Sequence, residues 1–487
     1  MHHNLVADIF AAADEDDPAW MALAMEMAAI GVQTPAMGAY GRPLAAWRQR
    51  LGQPRRTRGI LAWAIDGRLD RLVAALVDSG TTPTTAHLEQ ACKIGAVAVV
   101  RVLLAADVDA RPGLLSAALA GQASAVGACL DSCPTASFGK TLELALLSAA
   151  KSGHAAVVSK LLESGVDAAA DRASALFFAC RSGHSDVVEL LLQSPTLSAE
   201  VEGGQALVVA CGMRGSSSTI DKLLDAGEFT PETIQVAAIE AAKHGHREAV
   251  VRLLSRPGIR TAELVNDVLM AAVDGSHSAI VALMLDEPGV APGADESEAL
   301  RRAAWLGDVE TVRLLLASGG VDVSARNNAA LQNSTKRGNV ELVRLLLANG
   351  ADATVRDCDP FTTACAQGHL EAAQELLACD GVTASVHGNT AIEWAAGNGR
   401  KDVVTFLLTQ PEVDPSVRNH APLRVAVFNG HTAIVERLLA HHRGSKCRRW
   451  LPMPKLVQLA SEAGNSEMLA TLEVHRAGGG ESSSSPR

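Results

Sequence analysis

The amino-acid sequence predicts an all-α fold in which helix–turn–helix units stack into a solenoid. Hydrophobic residues make up 48% of the 487 residues, which is enough apolar material for a large core. Aromatic residues are only 3%, and this disfavours β-sandwiches and β-barrels because those folds depend on aromatic and β-branched side chains. The third observation is a phrase of small, glycine and aliphatic residues that recurs about every 31 residues.

The repeated phrase is small-small-x-x-Gly-His/Asn-x-x-Val-Val-x-x-Leu-Leu. We call its glycine the anchor glycine. A regular interval of this length is typical of stacked structural repeats, each of which buries its apolar face only against its neighbours. Looser copies stand at both ends of the run, as expected for capping repeats. The clearest copies begin at Ala149, Ala179, Ala241, Ala303, Ser334, Ala364, Ala395 and Ala426.

The copy around Gly338 shows why each unit is predicted to be two helices. Gly338 permits a left-handed turn that ends the first helix. Leu342, Val343 and Leu346 recur at helical spacing and predict the buried face of the second helix. Asn349 and the glycine after it indicate where that second helix ends.

These residues resemble the ankyrin repeat, whose pattern is approximately G-x-T-P-L-H-x-A-A-x-x-G-H-x-x-V-V-x-L-L-L-x-x-G-A-D. Residues 345–352 (LLLANGAD) match its end, and residues 359–362 (DPFT) stand where T-P-L-H belongs. The resemblance covers about residues 60–474 in about 14 copies. It implies an ankyrin-repeat solenoid with short β-hairpin fingers that binds a partner protein through its concave face.

Two departures from the family pattern carry expectations of their own. The period is about 31 residues instead of the usual 33, and the loss falls between Asp352 and Pro360. We therefore expect short fingers. The Thr and His of T-P-L-H are mostly missing, so their usual hydrogen bonds across repeats are expected to be replaced or absent.

Residues 1–59 do not follow the period and are predicted to form a separate N-terminal segment. Residues 4–10 (NLVADIF), followed by Asp17 and Pro18, faintly resemble the start of an F-box, although the leading Leu-Pro is missing. That resemblance implies a substrate adaptor for ubiquitin ligation. The alternative is a helical cap on the array. Residues 475–487 are predicted to be a disordered tail because glycine and serine dominate them.

Charge and cysteine usage exclude several classes of protein. The net charge of −11 argues against a nucleic-acid binder, and no apolar stretch is long enough to predict a membrane span. Nine dispersed cysteines without a CxxC pair indicate neither a zinc ribbon nor a disulfide framework. A reducing compartment fits this usage. We therefore expect a monomer in the cytoplasm, with the nucleus as the alternative.

No catalytic signature is present, so we expect neither enzyme activity nor a metal or cofactor. An enzyme whose active site carries no recognised motif is the remaining alternative. Several histidines fill one repeated position directly after the anchor glycine, and this regularity favours a structural role over metal binding. These are His154, His184, His246, His369 and His431.

The candidate partner-binding residues form two columns. The first column stands two residues before the anchor glycines, a position that faces the concave groove in ankyrin repeats. Its cations and aromatic side chains favour an acidic or amphipathic partner. The alternative is that Lys and Arg merely favour the C-terminal end of the helix dipole. The first column consists of Lys151, Arg181, Lys243, Trp305, Lys336 and Phe428.

The second candidate column lies in the expected fingers, where it would contact the same partner. Arginine is common at this position in ankyrin repeats generally, so a feature of the family is the alternative explanation. The second column consists of Arg326, Arg356, His387 and Arg418.

Overall fold

The computed structural model divides into two compact units: of the described residues, those from 61 to 241 and from 248 to 254 belong to unit 1, and the others belong to unit 2. Every helix described is an α-helix except for a single 3-10 turn at Thr135–Ser137, and no residue described lies in a strand. The predicted all-α class is confirmed. The residues that the structure describes are 61–62, 64–78, 81–199, 201–212, 217–444 and 453–478.

The helices of unit 1 come in pairs separated by short turns. Of α12, only the last residues belong to unit 2. The bounds are α1 Asp70–Asp78, α2 Thr85–Ile94, α3 Val97–Ala105, α4 Ala110–Leu119, α5 Ala123–Ser132, α6 Lys140–Ser152, α7 Ala155–Glu163, α8 Ala170–Ser182, α9 Ser185–Leu192, α10 Val201–Gly212, α11 Ser217–Ala226, α12 Pro231–His244 and α13 Arg247–Leu254.

Unit 2 continues the same pairing. Its last helix reaches Gly478 and so includes the first residues of the expected tail. The bounds are α14 Ala262–Asp274, α15 Ser278–Leu285, α16 Ala294–Leu306, α17 Val309–Ala317, α18 Ala325–Arg337, α19 Val340–Ala348, α20 Val355–Gln367, α21 Leu370–Leu377, α22 Val386–Gly397, α23 Lys401–Leu407, α24 Val417–Phe428, α25 Thr432–Gly444, α26 Met453–Glu462 and α27 Ser466–Gly478.

Within each unit, like helices of successive pairs pack side by side. The first helices α16, α18, α20, α22 and α24 form one layer of unit 2, and the second helices α17, α19 and α21 form another. The core lies between these layers. Leu342, Val343 and Leu346 on α19 have no exposed surface, which confirms the predicted buried face. Gly338 ends α18 in the left-handed conformation, at φ +73°.

The fingers differ from the expectation of short β-hairpins. At Arg326, Asn327 and Asn328 the chain makes one left-handed turn, with φ values between +49° and +58°, closed by the N–H of Asn328 donating to the carbonyl of Ser324 at 2.9 Å. A repeat that is shorter by about two residues has no length for two paired strands. Asn tolerates this backbone region better than most residues because its short polar side chain bonds locally. The same turn recurs at residues 171–173, 295–297, 356–358, 387–389 and 418–420.

Buried polar side chains in these turns link successive repeats. The Oδ1 of Asn328 accepts a hydrogen bond from the N–H of Asp352 at 2.8 Å, and Asn389 accepts one from the N–H of Asp414 at 3.0 Å. The hydroxyl of Ser297 serves another repeat in the same way. Hydrogen bonds between successive repeats are therefore present here although the Thr and His of the family pattern are mostly missing.

Two predictions concern parts of the chain outside these ranges. The F-box-like or helical cap segment, residues 1–59, lies outside the described residues, as does the tail beyond Gly478. None of the described helices is both long enough and apolar enough to cross a bilayer.

Candidate protein-binding surface

In four repeats the carbonyl of the column residue is held from the next repeat by the histidine that follows the anchor glycine. The Nε2 of His184 lies 3.1 Å from the carbonyl oxygen of Lys151, and the Nε2 of His369 lies 3.2 Å from that of Lys336. His154 and His431 make the equivalent contact in their repeats. The structural interpretation is confirmed for these four histidines, because each secures the end of the neighbouring first helix, and it stays a prediction for His246.

In unit 1 the column residues Lys151 and Arg181 are exposed at the ends of α6 and α8. The Nζ of Lys151 lies 5.8 Å from the ring centroid of Phe178 on the next repeat, within the range of a cation–π contact. The rings of Phe177 and Phe178 meet edge to face at 5.4 Å and line a surface pocket of about 280 Å³. Neither cation forms an ion pair within the described part of unit 1.

In unit 2 the column brings Trp305 and Lys336 together from neighbouring repeats. The indole of Trp305 is 44% exposed, with the Nζ of Lys336 5.8 Å from its ring centroid. The guanidinium of Arg337 lies closer still, with Cζ at 4.9 Å. Among the described residues, neither Lys336 nor Arg337 has an acidic partner. The sequence-based column missed Arg337, which stands one position nearer to the anchor glycine.

The other end of the unit-2 column is apolar. Phe428 is 61% exposed at the end of α24, and Trp394 on α22 is 55% exposed. Trp394 was not predicted to belong to this surface. It stands three residues before Gly397, which holds the column position of that repeat, so Trp394 and Gly397 lie on the same face of the helix. Lys243 is also exposed, and its carbonyl oxygen is 3.1 Å from the Nε2 of His277.

The finger column is less uniform than the sequence suggests. Arg326 forms an ion pair with Glu296, whose hydrogen bond raises the pKa of the guanidinium. Arg418 donates to Glu393 at 3.1 Å and to the carbonyl of His387 at 3.0 Å. These two arginines therefore already tie successive turns together. Arg356 and the side chain of His387 are exposed, and Arg356 forms no ion pair within the described residues.

The cysteines in the small-residue pairs belong to the core. Cys180, Cys211 and Cys365 have no exposed surface, which confirms the prediction that they stand in for alanine. Burial raises the pKa of the Cys180 and Cys211 thiols to about 12, so both stay protonated near neutral pH. In the part of the chain that the structure describes, no group of three or more His, Cys, Asp or Glu side chains is placed to hold a metal ion.

Stacked helix pairs with a left-handed anchor turn define a repeat solenoid. A family model described as ankyrin repeats (3 copies) matches residues 146–233, 238–327 and 329–419. Because these matches cover more than half of the chain, the protein belongs to the ankyrin-repeat family. This family fold is a generic module for protein interaction.

Two of the solved structures with similarity to the chain are ankyrin-repeat domains. The human ASB11 domain is 22% identical, with a TM-score of 0.37, over 42% of this chain and 96% of that one. The domain of Bcl-3, described as a unique member of the IkappaB protein family, is 24% identical, with a TM-score of 0.25, over 44% of this chain and 91% of that one. A search of curated proteins found no match.

Proposed function

We propose that this chain is a protein–protein interaction scaffold that holds a partner on the concave face of its ankyrin repeats. The observation that carries this proposal is the arrangement of Trp305 beneath Lys336 and Arg337 of the next repeat. Trp and Arg are the residues most enriched among those that dominate binding energy at protein interfaces. Here they are exposed and adjacent, at the ends of helices that pack side by side.

The helix dipole does not account for this surface. A dipole favours Lys and Arg in the last turn of a helix, where Lys151, Arg181 and Lys243 stand. It gives no reason for Trp305 and Phe428 to hold the same position with 44% and 61% of their surface exposed. Large exposed apolar side chains gathered on one face are typical of an interaction site.

The charge pattern favours an acidic or amphipathic partner. The whole chain carries a net charge of −11, yet the column concentrates cations that lack acidic partners within each described unit. Complementary charge steers association and suppresses wrong partners, while buried aromatic residues slow dissociation. A partner with carboxylates and apolar side chains would satisfy both parts of the column.

Position-specific photo-crosslinking tests this proposal. Benzoylphenylalanine would replace Arg181 or Phe428 in the full chain, one position at a time. Matched controls would carry it at Lys160 or Arg313, which are 48% and 53% exposed on the second helices α7 and α17. We expect the same partner protein to be captured at Arg181 or Phe428 and not at the controls. Capture at the control positions alone would refute the concave-face proposal.

A further inference from the structure

We infer that unit 2 binds one partner segment with two chemically different ends. Carboxylates at one end lie against Lys336 and Arg337, and a large apolar side chain at the other end lies between Trp394 and Phe428. This inference rests on the proposed function and assigns it a partner class. The surface between the two ends is formed by Ala366 and Gly397, and we call the whole of it the unit-2 groove.

The cationic end of the unit-2 groove has positive charge without a counterion. Lys336 and Arg337 both approach Trp305, and neither meets a carboxylate within the described residues. The nearby Arg302, in contrast, is paired with Asp274 at 2.8 Å. Two adjacent cations on an aromatic face repel each other unless an anion joins them. An arriving carboxylate would relieve that repulsion and gain charge-assisted hydrogen bonds.

The next column positions hold no protruding side chain. Ala366 is 9% exposed, and Gly397 has no side chain. A Cβ built on Gly397 would lie 2.7 Å from Cγ1 of Val425, so the Val425 side chain on α24 fills the space that a larger residue at position 397 would need. Between Lys336 and Phe428 the column therefore carries no long side chain of its own.

The backbone carbonyls at these two column positions already have hydrogen-bond donors. The carbonyl oxygen of Ala366 accepts from the side chain of Asn398 at 2.9 Å, and that of Gly397 accepts from Asn429 at 2.7 Å. Because these acceptors are already satisfied, an apolar group that covers them leaves neither carbonyl unpaired. The exposed rings of Trp394 and Phe428 supply the apolar surface on the far side.

The spacing fixes the length of the partner segment. Lys336 and Phe428 stand three repeats apart, and at about 10 Å per helix layer their separation is about 30 Å. An extended chain covers this distance in about nine residues, and a helix in about 20. A uniformly anionic strand such as RNA would meet column cations at one end only, because Ala366, Gly397 and Phe428 are uncharged. A two-ended peptide therefore fits the groove better.

The experiment uses the full chain and synthetic peptides of defined length. Each peptide carries four Glu residues at one end, Leu-Trp-Leu at the other, and a proline linker of three, ten or twenty residues. Proline linkers extend by about 3.1 Å per residue, so ten prolines span the groove and three do not. By titration calorimetry we expect the ten-proline peptide to bind at least ten times more tightly than the three-proline peptide or either half alone.

Paired substitutions identify the two ends. The double variant Lys336→Glu, Arg337→Glu should remove the contribution of the Glu end to the affinity. The double variant Trp394→Ala, Phe428→Ala should remove the contribution of the Leu-Trp-Leu end. The controls are Arg313→Glu, an exposed cation on α17, and Val474→Ala, an apolar side chain that is 71% exposed on α27. Both controls should bind the peptide as the original chain does, and circular dichroism verifies that every variant is folded.

Several results would overturn the inference. One is that a peptide with Gln in place of Glu binds as tightly as the original peptide. Another is that the affinity does not depend on linker length. A third is that the groove variants and the control variants lose the same amount of affinity. A 20-nucleotide RNA that binds as tightly as the peptide, and is lost with Lys336→Glu and Arg337→Glu, would assign the surface to nucleic acid instead. Photo-crosslinking of a partner at Phe428 combined with failure of the peptides would preserve the proposed function and refute this inference alone.

Discussion

His184 lies directly across Gly153 of the preceding repeat. A Cβ built on Gly153 would be 2.7 Å from the Cε1 atom of the imidazole, and Gly153 itself has φ +79°. The Nε2 of His184 is 3.1 Å from the carbonyl oxygen of Lys151, and because a carbonyl only accepts, this nitrogen donates. The anchor glycine is therefore required twice, once by its backbone conformation and once by the ring packed on it.

Replacing Gly153 should cost more than its backbone conformation alone explains. We expect Gly153→Ala to lower the free energy of unfolding by about 2 kcal/mol or more, because left-handed strain and collision with His184 add. The control is Gly165→Ala, since Gly165 has φ +85° and open space around it. In a double-mutant cycle, Gly153→Ala should cost less stability when His184→Ala is also present, because the collision with the imidazole is then removed. Equal costs at Gly153 and Gly165 would contradict this account.

The repeat formed by α14 and α15 has serine at the anchor position, and placing glycine there should stabilise the protein. Ser276 adopts φ +57° at the position that glycine holds in most other repeats. A serine there carries the steric cost of the left-handed region, which glycine avoids. We expect Ser276→Gly to raise the free energy of unfolding by about 1 kcal/mol in urea denaturation. A decrease in stability would mean that the Ser276 side chain contributes a contact of its own.

The buried ladder of the turns should be sensitive to the loss of one amide. Asn328→Ala leaves the N–H of Asp352 without its partner at 2.8 Å, which should cost about 1–3 kcal/mol. The control is Asn327→Ala, because Asn327 is exposed in the same turn with φ +58°. This control measures only the stability lost because alanine favours the left-handed backbone region less than asparagine does. Thermal unfolding that shifts equally for both variants would exclude a role for the hydrogen bond.

Core and finger positions should differ sharply in their effect on stability. Leu346 has no exposed surface, so Leu346→Ala should cost about 2–5 kcal/mol through the cavity it leaves. Arg356 is exposed without an ion pair in the described residues, so Arg356→Ala should change the free energy of unfolding by less than about 0.5 kcal/mol. Chemical denaturation of both variants measures the difference. Similar values would mean that the assignment of faces is wrong.

The sequence predicted the helix pairs because their pattern is local. Gly338, Leu342 and Leu346 recur at fixed spacing, and this spacing sets both the anchor turn and the buried face. The left-handed finger turn was missed because glycine is the residue expected at positive φ, whereas Arg326 and Asn327 occupy it here. The repeated asparagines near this position are a signal that could have indicated the turn.

The candidate surface was predicted only in part. Spacing placed Trp305 and Lys336 in one column, and the structure brings them into contact. Spacing did not predict the closer approach of Arg337, because side-chain direction is not a property of the repeat. Trp394 was missed because a single residue outside the chosen column has no periodic signal. The role of these residues in binding stays a prediction.

The most direct test of concave-face binding reverses four column charges at once. In one variant of the full chain, Lys151, Arg181, Lys243 and Lys336 are each changed to Glu, and both the melting temperature and the kinetics with the captured partner are measured. If these cations steer a partner, the melting temperature should stay nearly unchanged, while association slows and loses salt dependence. If they serve only the helix dipole, each reversal should cost about 0.3–1 kcal/mol. A destabilised fold with unaltered association would therefore contradict the account.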